Sequence, residues 1–136
     1  MIFLLDTNVV IALLNGKPRE VRSALLVAKA AGHGVAITSI VLHELWFGIS
    51  KSSRRAENAE ALQKLLAEGF ESIAFDDSDA EVAGQLRAEL ANAGTPVGPY
   101  DLLIAAQALR REATLVTANE REFARVQGLR WTNWAA

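Results

Sequence analysis

The 136 residues contain no cysteine, which excludes disulfides and thiolate metal sites and suits a cytosolic protein. No apolar run approaches the roughly 20 residues that span a bilayer, so no membrane segment is expected. The apolar N-terminus lacks a basic lead and a small-residue cleavage site, and does not read as a secretory signal. No repeat or low-complexity tract is present, and there is no overall excess of charge, the formal net value being −2. That balance conceals an uneven distribution. Residues 1–55 hold seven Lys/Arg against three acids, residues 56–101 two against ten, and residues 102–136 five against three. A polyanionic partner would therefore meet a local basic surface, the plain alternative being solvated faces.

What is present suits one globular domain spanning 1–136, with 51% hydrophobic and 22% charged residues and enough length to bury a core. Short apolar runs at 2–5, 35–38, 71–75, 114–117 and 129–134 read as strands. Helical spacing predicts helices over 19–31, from a Ser39 N-cap to about 50, and over 55–68, 78–92 and 99–111, with a short one from 120. The segment "GTPVGP" forms a rigid connection before the 99–111 helix. Strands alternating with helices predict an α/β fold, a mostly parallel sheet covered on both faces. Sites in such folds form beyond the carboxyl ends of strands.

Several acids fall at such places. Asp6 ends the apolar run of "IFLLDTNVV"; it reads as a helix cap, a site residue or both, with Thr7 and Asn8 able to tie down the turn. Glu44 lies within "SIVLHELWFGI", flanked by apolar residues and outside the capping-box position, so a paired or functional role is expected. Its neighbour His43 reads as a surface or packing residue. Asp101 falls in the first turn of the helix opened by Pro99, where the helix dipole alone would explain it. Thr117, Asn119, Glu120 and Glu122 follow the late strand, where a solvated loop is the plain reading. Trp46, Phe47 and Ile49 read as core by helical spacing, with a surface that meets a second copy or a protein partner as the alternative. Trp131 and Trp134 either pack the last strand or help bind a polyanionic partner.

Taken jointly, these positions converge on one edge of a parallel sheet. Paired carboxylates repel by about 4 kcal/mol at ~4 Å in a surface-like dielectric, so a proton or a divalent cation must offset them. With only oxygen donors in the set, the cation is Mg²⁺ or Mn²⁺. The usual task of such a site is phosphodiester chemistry.

"FLLDTNVVIAL", "SIVLHELWFGISKS", the run from Leu86 to Leu129 with "PVGPYD" inside it, and the closing "WTNW" resemble the PIN-domain ribonuclease toxins of the VapC type. The resemblance spans nearly the whole chain. It implies a PIN-like three-layer α/β/α fold with a central, mostly parallel sheet of four to five strands. It also implies a metal-dependent endoribonuclease in which Asp6, Glu44 and Asp101 are the acids that hold Mg²⁺ or Mn²⁺. Glu122 matches a further acid and Asn119 the neighbouring polar position, both serving a second ion or the attacking water, and Thr117 hydrogen-bonds within the site. The branch resembled most usually reads Thr-Asn-Asn where this chain has Thr117-Ala118-Asn119. Its members cut initiator tRNA in the anticodon loop, dimerise, and are inhibited by a small VapB-type antitoxin whose basic side chain enters the acidic pocket. Lys17, Arg19, Arg22, Lys51, Arg54 and Arg55 are candidates to track an RNA backbone. Two rivals fit less well. A catalytically silent PIN-like RNA-binding module would have lost an acid, and a receiver-like domain would need a second Asp beside Asp6 or a lysine at a late strand end.

Overall fold

The computed structural model describes residues 1–136. Its elements run β1 (Ile2–Leu5), α1 (Thr7–Asn15), α2 (Arg19–Ala30), β2 (Gly34–Thr38), α3 (Ser39–Lys51), α4 (Arg55–Leu66), β3 (Glu71–Ile73), α5 (Asp77–Asn92), α6 (Pro99–Arg110), β4 (Thr114–Val116), α7 (Glu120–Phe123) and β5 (Arg130–Thr132). The five strands form one sheet in the order β3-β2-β1-β4-β5, every pair parallel, with helices covering both faces in a three-layer α/β/α arrangement. The chain starts in the middle, moves outward through β2 and β3, then crosses to β4 and β5. The order therefore reverses between β1 and β4, the place where parallel sheets open a crevice at their carboxyl ends.

Register decides what lies at that crevice. Leu4 pairs with both Ala36 and Leu115, and Leu5 with Val116. One residue further on, Thr38, Asp6 and Thr117 leave three adjacent strands at the same level. Beneath them lies one contiguous cluster of 28 buried apolar residues. Leu4 and Leu5 of β1 and Leu115 and Val116 of β4 are wholly buried, which explains the continuous rather than alternating apolar runs.

Helix boundaries follow caps more closely than apolar spacing suggests. Thr38, not Ser39, caps α3: its hydroxyl accepts from the Val41 N–H at 3.3 Å. Ser39 is the first helical residue, and its hydroxyl accepts from the Phe75 N–H at 3.0 Å, joining α3 to the segment after β3. Asp76 starts α5 one residue earlier than expected through a capping box with Asp79. The buried residues of α3 are Val41 and Leu45, a single i, i+4 stripe. Trp46 and Phe47 lie off that stripe and are 38% and 60% exposed, so they are surface residues and not core; Ile49 packs against the core. Trp131 and Trp134 also pack against it, Trp134 edge-on to Phe3 at 5.5 Å between ring centroids. No helix is long and apolar enough to cross a membrane.

Candidate active site

Asp6 leaves β1 and caps α1. Its Oδ1 accepts from the Thr7 N–H at 2.8 Å and its Oδ2 from the Thr117 hydroxyl at 2.8 Å. Capping thus occupies one oxygen, while the other turns across the switch point to the strand beside it. The Asp6 N–H continues the ladder to the Val116 carbonyl at 3.0 Å, so backbone pairing fixes the position of a carboxylate only 4% exposed. Burial first, then the charges of Glu44 and Glu122, raise its pKa against the pull of these hydrogen bonds.

Thr7 joins the next acid to the cluster. Its hydroxyl donates to Glu44 Oε1 at 2.7 Å, so the half-buried Glu44 has the partner its apolar surroundings call for. Asn8 is exposed and its side chain takes no part in a hydrogen bond; the turn is tied by Asp6 and Thr7 and not by Asn8. From the far side, Thr117 accepts the Asn119 N–H at 3.0 Å, and the Asn119 side-chain amide donates to Glu122 Oε2 at 2.9 Å. The other Glu122 oxygen accepts the Gly98 N–H. A Cβ on Gly98 would stand 3.2 Å from Glu122 Oε1 and 3.9 Å from Asp101 Oδ2, so glycine permits this close approach. The motif "PVGPYD" contained that signal, but only the fold shows what the Gly98 N–H meets.

Asp101, in the first turn of α6, completes the group. Burial, then the charges of Asp6, Glu122 and Glu44, push its carboxyl up to about 7, and a hydrogen bond with Glu122 adds to the shift. Burial works against the Glu122 charge as well, but the Gly98 N–H, Asn119 and Asp101 outweigh it and Arg125 helps, leaving the Glu122 carboxyl below its ordinary value. Between these two acids the proton therefore belongs to Asp101. No three Asp, Glu, His or Cys side chains already surround one point as a finished ion cage. The carboxylates are instead linked through the Thr7 and Thr117 hydroxyls and the Asn119 amide.

The other expected residues are more dispersed. Arg22 pairs with Glu68 at 2.6 Å, just ahead of β3 and so at the amino edge of the sheet, opposite the acids. Arg54 is paired with Glu57. Lys17, Arg19, Lys51 and Arg55 are exposed, and Lys51 lies 5.0 Å from the centroid of the Phe47 ring. Sequence spacing also missed a second carboxylate centre. Asp79, wholly buried, accepts from Arg111 at 2.7 and 3.1 Å, from Arg110 at 2.9 Å and from Gln107 at 3.3 Å.

An acidic cluster at the switch point of a parallel α/β/α sheet defines a recognisable class. The family model for the PIN domain matches residues 3–129, and the chain belongs to that family. It is 38% identical to the tRNA(fMet)-specific endonuclease VapC of Shigella flexneri over 98% of each chain. With the ribonuclease VapC2 of Rickettsia felis it shares 41% identity, again over 98% of each. Among solved structures, it matches a chain of VapBC2 from Rickettsia felis bound to a promoter DNA fragment with a TM-score of 0.92 and 39% identity, over 98% of this chain and 99% of that one. DNA-bound VapBC from Salmonella typhimurium gives 0.90 and 38%, over 98% of each chain. Within the PIN family, the chain is of the VapC type.

Proposed function

We propose that this chain, acting as a single PIN domain, is the toxin of a type II toxin–antitoxin pair: an endoribonuclease that cuts the anticodon loop of initiator tRNA. One observation carries the chemistry. Four carboxylates gather around the switch point without yet closing on one point, and none of the protein's own ion pairs reaches them. Burial, with the charges of Asp6, Glu122 and Glu44 and no cation to offset them, accordingly holds Asp101 at about 7. The cluster offers only oxygen donors, which fits Mg²⁺ or Mn²⁺. Asp6, Glu44 and Asp101 would hold one ion, with Glu122 and Asn119 serving a second ion or the attacking water. Such an ion, when bound, activates water and shields charge on the phosphodiester.

The remaining work belongs to the protein. The Thr117 and Thr7 hydroxyls orient Asp6 and Glu44, leaving Glu44 Oε2 free of protein hydrogen bonds. Gly98 and Asn119 keep Glu122 ionised, so it is the group suited to accept a proton from water. Asp101 must release its own proton before serving as a ligand, which near-neutral pH allows. Lys17, Arg19, Lys51 and Arg55, free of acidic partners, are the better candidates to follow an RNA backbone; Arg22 and Arg54 are already engaged. The relatives named as tRNA(fMet)-specific endonucleases support the substrate, and the VapBC structures support a VapB-type antitoxin; a homodimer assembled with it follows from the family resemblance alone. Such an antitoxin would inhibit by placing a basic side chain among the acids. The reading places the protein in the cytoplasm, where tRNA is found.

Incubating the purified protein with total tRNA, with and without EDTA, and mapping the ends tests this. The expected result is one metal-dependent cut in the initiator anticodon loop. Absence of metal-dependent cleavage of any RNA would overturn it.

A further inference from the structure

Two of the acids have aromatic neighbours in sequence: His43 precedes Glu44, and Tyr100 precedes Asp101. Their backbones come from different helices, α3 and α6, yet the two rings meet at 5.5 Å between centroids with planes tilted by 53°. Both side chains are exposed, Tyr100 to 45%. The contact is therefore not a core contact, and it leaves ring surface open to solvent on the two residues that immediately precede Glu44 and Asp101. One turn further along α3, Phe47 is 60% exposed with the Lys51 ammonium 5.0 Å from its ring centroid. His43, Phe47 and Lys51 stand at i, i+4 and i+8 and so share one helical face.

We propose that the Tyr100–His43 pair is a stacking platform for an unpaired nucleobase next to the scissile phosphate, with the following strand running along the His43–Phe47–Lys51 face of α3. This rests on the ribonuclease reading above, because a phosphate at the acids fixes how far away its flanking bases lie. Unpaired bases of RNA stack on exposed aromatic rings, and a nearby cation then meets the backbone. A loop substrate supplies such bases and a duplex does not. The platform thus selects for unpaired RNA without reading a particular base, since every base presents a π-face.

The test uses anticodon stem-loop hairpins in which each loop nucleotide in turn is made abasic. Tyr100→Ala should lower kcat/KM on the intact hairpin by roughly five- to a hundred-fold, mostly through KM, and Tyr100→Phe should restore it. At one abasic position the wild type should fall to the level of Tyr100→Ala, and the variant should lose nothing further there. No loss in Tyr100→Ala, or an equal further loss at every abasic position, would overturn the platform. So would a matching loss of Mn²⁺ affinity in calorimetry without RNA, which would make Tyr100 a positioning residue for Asp101. A changed oligomeric state or antitoxin affinity with cleavage intact would mark the ring as a protein contact instead. Failure of the ribonuclease reading remains distinguishable. If the wild type cuts nothing, hairpins carrying 2-aminopurine in the loop are titrated into the Asp6→Asn protein. Quenching that disappears with Tyr100→Ala supports stacking without catalysis, and quenching that persists rejects it.

Discussion

Asp79 and Asp101 are both carboxylates near the start of a helix, yet their surroundings drive them in opposite directions. Burial works against the charge of each. Around Asp79 the Arg111 guanidinium, the Asp76 N–H and Arg110 more than compensate, and its carboxyl falls to about 2. Around Asp101 the nearest charges are those of Asp6, Glu122 and Glu44, and it rises to about 7. A buried carboxylate with its counterions built in is a structural tie, here joining α5 to α6. One surrounded by further carboxylates requires a positive charge from outside.

The most direct way to break the comparison is to neutralise one member of the unpaired cluster. Asp6→Asn or Asp101→Asn should cut metal-dependent cleavage by more than about a hundred-fold, beyond the usual loss for a residue that only supports a ligand. The melting temperature should hold or rise, because each change removes like-charge repulsion and Asn can still cap at position 6. A cleavage time course together with a thermal melt checks both parts.

Asp79→Asn should behave in reverse. It leaves Arg110 and Arg111 without their shared partner and should cost about 3 kcal/mol in urea unfolding, while the folded protein keeps its cleavage rate. A comparable loss of activity in folded protein would mean that the two centres are coupled and the division is wrong.

Thr117→Val removes the hydroxyl that holds Asp6 Oδ2 but no carboxylate. Metal affinity or kcat/KM should fall by roughly ten- to a hundred-fold, as for other supporting partners; titration calorimetry with Mn²⁺ and cleavage kinetics measure the two.

Acid and base should separate the centres again. Asp79 has a folded pKa of about 2, below its ordinary value of 3.8. It contributes about 2 kcal/mol above pH ~4, lost as pH falls toward ~2. Asp101 has a folded pKa raised from 3.8 to about 7, so the folded state binds more protons between those values. Its contribution to the stability of the metal-free protein therefore declines as pH rises through that window. Added Mg²⁺ or Mn²⁺ should raise the melting temperature at pH 8 and have less effect at pH 5, where Asp101 holds its proton. Melts across pH with and without the ion would show it. The smallest effect is expected for Ala118→Asn: position 118 is exposed, and the neighbouring Thr117 and Asn119 already hold the cluster, so cleavage should change by less than about three-fold.

Sequence legibility followed the same division. Apolar runs and helix spacing were enough for the alternating α/β order, because burial on both sheet faces leaves uninterrupted apolar strands. Asp6 and Glu44 stood out because an acid closing an apolar strand or lying among apolar neighbours calls for a partner. Asp101, which the helix dipole alone would explain, joined them only through the joint pattern at one sheet edge and the family resemblance. Asp79 was missed since a carboxylate in the first turn of a helix usually needs no further explanation; its partners Arg110 and Arg111 lie thirty-one and thirty-two positions away. Trp46 and Phe47 were misjudged because helical spacing identifies a stripe but not its limits.

By itself the sequence determined element types, the acidic donor set and the absence of thiolate ligands, all of which are local or compositional. Tertiary structure alone decided that Asp6 and Thr117 stand level across adjacent strands, that Glu122 reaches the Gly98 N–H, and that His43 meets Tyr100. Those are consequences of sheet register and helix packing between distant segments. The same nonlocal geometry decides charge: whether a buried carboxylate faces guanidinium groups or other carboxylates is set by which helix end packs beside it.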